Sequence, residues 1–262
     1  LWLTLIASAA CVLTEYAFQK FRGRPITIYD GSAIVTGMLL AFNFPPTLPS
    51  WMAVVGGVVA MALGKHVFGG LGSNPFNPAL IGRAFLVTAF PIAMTTWTSA
   101  IDGISTATPL ALMKMEGVAT GYWQLFTGNV AGSLGETSAL AILIGGAYLI
   151  YKNYIDWRIP VGYLGTVGII ALAFGHDPIF HWLAGGLMLG AFFMATDMVT
   201  TPITRNGRWM FGVGAGVILM VIRLWGAYPE GVTFSILLMN GFTPLIDGLM
   251  RRRCYGEVKS NG

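Results

Sequence analysis

The sequence predicts an all-α integral membrane protein, a multi-span bundle of two inverted-topology repeats with broken helices. Three observations predict it. Apolar residues make up 55% of the chain and charged residues 10%, whereas a soluble domain carries about 25% charged residues. The apolar residues fall in runs separated by short polar connections, some of which contain proline. A ten-residue motif near the end of the expected first repeat returns near the end of the second. A chain this poor in polar groups cannot cover itself in water, so it needs lipid as its solvent.

In chain order, the apolar runs cover residues 1–18, 32–44, 51–68, 77–92, 138–151, 160–174, 178–196, 209–225 and 232–250. The chain starts inside the first run without Met, so an N-terminal tail and an earlier helix are expected to precede it. Run 1–18 has no basic leader and no cleavage site, which argues against a signal peptide. Several runs fall short of the ~20 residues of a full span. Two of them end at proline breaks, FNFPPTLP at 42–49 and TDMVTTPITRNG at 196–207. Proline removes a backbone donor and clashes with the preceding turn. Carbonyls freed at membrane depth are tolerated only where protein or a polar cavity covers them. The glycine count of 35 suits close helix packing.

Basic residues set the orientation. Lys20, Arg22, Arg24, Lys65, Arg83, Lys152, Arg158, Arg205, Arg208, Arg251, Arg252, Arg253 and Lys259 fall in or beside alternate connections, with Lys114 and Arg223 on the other side. The first group is expected to be cytoplasmic. Read this way, the net charge of +4 is an orientation signal, and no nucleic-acid partner is expected. Cys11 and Cys254 stand far apart in different settings, so neither a metal site nor a disulfide is expected.

SNPFNPALIG at 73–82 resembles MNGFTPLIDG at 239–248, with Asn74, Phe76, Pro78 and Gly82 matching Asn240, Phe242, Pro244 and Gly248. Upstream, Trp51, Gly56 and Lys65 match Trp209, Gly214 and Arg223. The run at 32–44 in the first copy is expected to point outward and the run at 178–196 in the second inward, which makes the repeats inverted unless the likeness is chance similarity among Gly-rich membrane helices. The expected organisation is a first repeat at 1–95, an outer-face loop at 96–137, a second repeat at 138–250 and a cytoplasmic tail at 251–262.

Several residues invite a chemical role. Asn74 and Asn77 offer amide donors and acceptors and Phe76 a ring face, or the asparagines simply cap helix ends. Glu15, Asp197 and Asp247 are carboxylates within or beside apolar runs. Each is a candidate for ion coupling, or pairs with a nearby base or lies at the interface. His66, His176 and His181 show no metal spacing. Most tryptophans fall at run ends, as an aromatic belt would place them.

The outer loop contains DGISTATPL at 102–110. Thr108 followed by Pro109 reads locally as an N-cap and first helical residue. Taken together, Asp102, Ser105, Ala107 and Thr108 resemble the D-x-x-S-x-A-T recognition motif of bacterial flavin transferases, with Thr106 where the motif usually has Gly. The resemblance implies FMN joined through its phosphate to Thr108. Asp102, Ser105 and Ala107 would be read by the transferase, with Trp97, Tyr122 and Trp123 near the ring.

A wider resemblance spans nearly the whole chain. TGMLLAFNFPP, GKHVFGGLGSNPFNPALIGRAFL, MTTW, DGISTATPL and TGNVAGSLGETSALAILIGGAYL are similar to the D component of the Rnf ion-translocating electron-transport complex and to its homologue, the B component of the Na+-translocating NADH:quinone reductase. This resemblance implies a urea-transporter-like fold, covalent FMN, and a second, non-covalent flavin expected to be riboflavin. It also implies electron relay between ferredoxin and NAD coupled to Na+ or H+ movement. The partners implied are the A, B, C, E and G components of the Rnf complex, the flavin transferase and membrane lipid, in the bacterial cytoplasmic membrane with the FMN loop on the periplasmic face. The sequence carries no iron–sulfur cysteine set and no dinucleotide-binding loop, so partner subunits would supply those sites. The competing readings are a small-solute channel or carrier of the same fold and a structural anchor without flavin.

The charge asymmetry generates a labelling prediction. A cysteine introduced at Ser99 should react with a membrane-impermeant thiol reagent added to intact cells with permeabilised outer membranes, and one at Ser260 should not. The reverse pattern would invert the topology.

Overall fold

The computed structural model describes residues 1–97, 107–117, 120–226 and 230–250. Among the described residues every regular element is helical. The first half holds α1 (Trp2–Phe21), α2 (Ser32–Phe42), α3 (Ser50–Met61), α4 (Pro78–Ala89) and the short α5 (Pro91–Thr95). Two short helices, α6 (Pro109–Glu116) and α7 (Tyr122–Thr127), lead into α8 (Ala139–Tyr151) and α9 (Arg158–Ala173). Then come α10 (Pro178–Leu183), α11 (Leu187–Leu189), α12 (Arg205–Trp225) and α13 (Val232–Met250). A π-helical turn, Ala62–His66, continues α3, and another, Gly190–Met194, continues α11.

By length and composition α12 and α13 can cross a bilayer, and α2, α4, α8 and α9 are shorter apolar helices. Their outward faces carry large apolar side chains: Ile169 is 70% exposed and Leu249 75%. Water would penalise such faces and lipid does not. In the first half α1 packs on α2 and α3, and α3 packs on α4. In the second, α9 packs on α10 and α12, and α12 packs on α13. Small residues let these backbones approach. A Cβ on Gly37 of α2 would lie 2.4 Å from the Ser8 Cα of α1, and one on Gly212 of α12 would lie 2.7 Å from the Ile159 carbonyl oxygen of α9. Leu40, Phe44 and Leu86 centre one core, and Tyr163, Phe211 and Leu219 another. The Tyr163 hydroxyl is satisfied inside its core by Ser235 at 2.6 Å.

Part of the sequence repeat has matching structural roles. Gly56 faces α4 at Leu86 and Gly214 faces α13 at Met239, while Lys65 and Arg223 are both buried basic residues. The motif itself diverges. Pro78 opens α4 behind the Asn77 cap, but Pro244 lies inside α13. Gly82 packs against α3, while Gly248 has open space around it. The two copies therefore sit at different points along their helices.

The expected run 178–196 is not one helix. It is interrupted between α10 and α11, where Gly185 has φ +72°. The orientation tally also changes. Lys65, Arg83 and Arg223 are at most 5% exposed and have interior hydrogen-bond partners, so they are not loop charges. Removing them from the sequence tally leaves Lys114 alone against the cytoplasmic group.

Gly37→Ala should lower the stability of the detergent-solubilised protein by about 1–3 kcal/mol, as overpacking does. Gly165→Ala, where a Cβ meets nothing within 4 Å, should leave it unchanged. Thermal unfolding of both variants checks this; equal midpoints would refute the contact.

Candidate functional site

Thr108 has extended backbone angles and caps α6, its hydroxyl accepting the Ala111 N–H at 3.3 Å, with Pro109 at the first helical position. The residue is 4% exposed. Its neighbour Leu110 holds the helix down against Leu125, Phe180 and Ala184. A cavity of about 220 Å³ opens beside Thr108 between Met94, Trp97, Thr233 and Phe234, with Arg83 and Glu230 also lining it. On its other side Thr108 shares a void of about 10 Å³ with Glu136 and Gly185.

Beneath this lies a largely buried polar network that joins the two halves. Arg83 of α4 bonds Glu230, ahead of α13, at 2.5 Å and donates to the Asn43 side-chain oxygen. Arg223 of α12 donates to the carbonyls of His181 at 2.7 Å and Ala184 at 3.1 Å, which the α10–α11 interruption exposes. Lys114 of α6 donates to the carbonyls of Arg223 and Gly226. Glu136 belongs to the loop between α7 and α8, and one of its oxygens accepts the Ser133 N–H at 3.1 Å. Burial and the Glu230 charge push this carboxyl well above the ordinary carboxylate range, against Arg83 and the Ser133 bonds. The same loop satisfies the first proline break: Gly135 and Leu134 donate to the carbonyls of Phe42 at 2.8 Å and Phe44 at 3.1 Å. A side chain at 135 would strike Phe42, since its Cβ would lie 2.4 Å from the Phe42 Cβ.

A second cavity, of about 430 Å³, is lined from the first half by Asp30, Ser32, Lys65, Asn74 and Asn77, and from the second by Phe192, Phe193 and Asp197. Asn77 caps α4 through the N–H groups of Ala79 and Leu80, and its amide donates to the Met194 carbonyl at 3.3 Å. Asn74 donates to the Phe76 carbonyl at 3.1 Å, while its own oxygen is buried without a partner. Beside this cavity Lys65 bonds Glu15 at 2.6 Å and Ser32 at 2.7 Å, and Ser32 bonds Asp30 at 2.6 Å.

The sequence-derived candidates thus separate into two places. Ala107 and Thr108 line the smaller cavity with Trp97; Asn74, Asn77 and Asp197 line the larger. Asp102 and Ser105 lie outside the described residues. Phe76 turns to Phe68, edge to face at 6.5 Å, and does not line the larger cavity. Tyr122 bonds Asp177 and Trp123 is 74% exposed; neither reaches the smaller cavity. Each membrane carboxylate has a local partner. Glu15 pairs with Lys65, Asp197 accepts the Val199 N–H at 3.3 Å, and Asp247 accepts the Ile203 N–H at 3.0 Å across the second break. Sequence reasoning missed Asn43, Arg83, Glu136, Arg223 and Glu230 as a group. Arginine and glutamate in apolar surroundings were a readable signal of burial, but their pairing across 147 positions was not.

A sequence model described as the NQR2, RnfD, RnfE family matches residues 1–256. The chain is 52% identical over 263 residues to the D component of the Na(+)-translocating ferredoxin:NAD(+) oxidoreductase complex of Acetobacterium woodii, covering 98% of this chain and 83% of that one. It is 51% identical over 259 residues to the D component of the proton-translocating ferredoxin:NAD(+) oxidoreductase complex of Clostridium ljungdahlii, covering 91% and 78%. With the D component of the Stutzerimonas stutzeri ion-translocating oxidoreductase complex, identity is 42% over 300 residues, covering 98% and 85%.

Lys65→Met should destabilise the protein by about 3–5 kcal/mol, because it strands a buried carboxylate. Combining it with Glu15→Gln should recover most of the loss. Unfolding of single and double variants in detergent measures this, and additive losses would contradict the pairing.

Proposed function

The chain belongs to the NQR2, RnfD, RnfE family, and from that premise we propose that it is the flavin-bearing membrane subunit of an ion-translocating ferredoxin:NAD+ oxidoreductase complex. It would assemble with the A, B, C, E and G components of an Rnf complex. Bound flavin supplies the electron-carrying chemistry, while the chain supplies position and electrostatics.

The observation that carries the reading is the placement of Thr108. The acceptor of the D-x-x-S-x-A-T motif stands at the N-terminus of α6 and at the wall of a cavity lined by Met94, Trp97 and Phe234. FMN joined there by a phosphoester would put its phosphate at the positive end of the helix, where N–H groups and the helix dipole favour an anion. The threonine oxygen can keep the Ala111 N–H as an ester oxygen. The cavity, at about 220 Å³, is below the ~300–1,000 Å³ of an enclosed ligand pocket. It would therefore hold part of the flavin, with the rest facing the outer side or a neighbouring protein of the complex. Because Thr108 is buried under a docked α6, the flavin transferase acts before α6 docks, reading Asp102, Ser105 and Ala107.

The larger cavity is proposed for the non-covalent flavin, riboflavin. Its volume of about 430 Å³ is in the ligand range, and the unpartnered Asn74 oxygen is an acceptor suited to a ring N–H. Lys65 and Ser32 add polar contacts at its rim.

Two inverted repeats of urea-transporter-like fold are part of the proposal; the shared packing order, α1–α3–α4 and α9–α12–α13, supports the repeat. The proposed location is the cytoplasmic membrane, and the basic tally supports the Thr108 end outside and the C-terminus inside. Glu15, Asp197 and Asp247 remain the proposed carboxylates for Na+ or H+ coupling.

Digestion and mass spectrometry of the protein from a host containing the transferase tests the reading. Thr108 should carry FMN, Thr108→Ala should abolish attachment, Thr106→Ala should retain it and Asp102→Ala should reduce it. An unmodified Thr108, or FMN on Thr106, would overturn the assignment.

A further inference from the structure

We infer that Glu136 is a proton-binding side chain whose charge state is linked to the redox state of the group carried on Thr108. The inference rests on the reading of Thr108 above and adds a residue to it. Glu136 is 6% exposed. One carboxyl oxygen accepts the Ser133 N–H, and the other has no hydrogen-bond partner. A buried polar atom left open in this way is costly unless the group holds a proton or meets a water. Glu136 and Thr108 line the same void, which at about 10 Å³ has room for about one water. Thr108 also lines the cavity of about 220 Å³, so the void and that cavity meet at this residue.

The charged surroundings come from four elements. Arg83 faces Glu136 from α4, Glu230 from the start of α13, Arg223 from α12, and His181 from α10 lies against Arg223. The guanidiniums are committed elsewhere: Arg83 to Glu230 and Asn43, Arg223 to two carbonyls. A Cβ on Gly186 would lie 2.7 Å from the open Glu136 oxygen and 3.7 Å from Arg83, so glycine there lets the carboxyl and the guanidinium approach. The partly paired carboxylate beside a second carboxylate raises the affinity of the pair for a proton.

A flavin on Thr108 would supply the electron-carrying chemistry, its electron coming from a carrier in a neighbouring protein of the complex. With negative charge added there, the ionised Glu136 carboxylate would take one proton from outer water and form an O–H bond; on reoxidation by the next carrier that bond would break and the proton would return to water. Glu136 neither donates nor accepts the electron. Its proton balances the charge, and it ties the potential of the Thr108 group to pH.

The test uses the assembled complex with Thr108 modification confirmed by mass spectrometry. The flavin absorbance is titrated against potential at several pH values above the ordinary carboxylate range. An infrared difference spectrum, reduced minus oxidised, is recorded in parallel. A fully linked proton adds up to about 59 mV per tenfold change in proton activity for one electron. Glu136→Gln should remove that contribution from the slope and abolish the carboxyl C=O band that appears on reduction. Glu136→Asp should keep the slope and shift the band. Glu230→Gln removes a neighbouring anion and should move the linked region to lower pH. Equal slopes in wild type and Glu136→Gln would overturn the proposal, as would a wild-type difference spectrum with no carboxyl band. If Glu136→Gln does not assemble, a band unmoved by Glu136→Asp overturns it equally. An unmodified Thr108 overturns the underlying reading as well, and the mass measurement distinguishes that failure from failure of Glu136 alone.

Discussion

A backbone N–H or C=O group left open within hydrocarbon has no water to turn to, and the interior of this protein is organised around the helix interruptions that create such groups. At the first break the Asn43 amide takes the Leu39 carbonyl, and residues 134 and 135 take those of Phe44 and Phe42. At the α10–α11 interruption Arg223 takes two carbonyls with one guanidinium. At the second proline break Thr243 donates to the Thr200 carbonyl and Asp247 accepts the Ile203 N–H. The side chains that do this come from distant parts of the chain, so satisfying the breaks also ties the halves together.

The same interior also holds long charged side chains that cover no broken backbone, and once buried they need partners of their own. Arg83 finds Glu230 and Asn43; Lys65 finds Glu15 and Ser32. The result is two polar regions within an apolar bundle, one below Thr108 and one beside Asn74 and Asn77. Each adjoins a cavity. In low-dielectric surroundings such groups act strongly on any charge that arrives nearby. The apolar outward faces need only meet lipid.

Much of this was legible in the sequence. Composition and the apolar runs located most of the helices, since lipid demands length and low polarity. The Thr-Pro pair marked the start of α6, because proline suits the first helical position and threonine caps it. The Asn-Pro pair marked α4 in the same way. The proline breaks were visible as breaks. The gap between α10 and α11 was not, since an Ala-Gly-Gly stretch in an apolar run fits a helix until Arg223 offers its carbonyls another donor.

By itself the sequence determined the chemistry available: a threonine hydroxyl in a motif that resembles a flavin-transferase recognition sequence, carboxylates in apolar runs, and small residues where helices meet. Tertiary structure decided which of these groups meet. Lys65, Arg83 and Arg223 resemble topology signals in a one-dimensional tally and are interior partners in three dimensions. Glu136 resembles an ordinary loop acid until the loop folds down onto the first break and buries it beside Thr108. The physical reason is that burial and pairing are properties of distance through space. Arg83 and Glu230 are 147 residues apart in sequence and 2.5 Å apart in the fold.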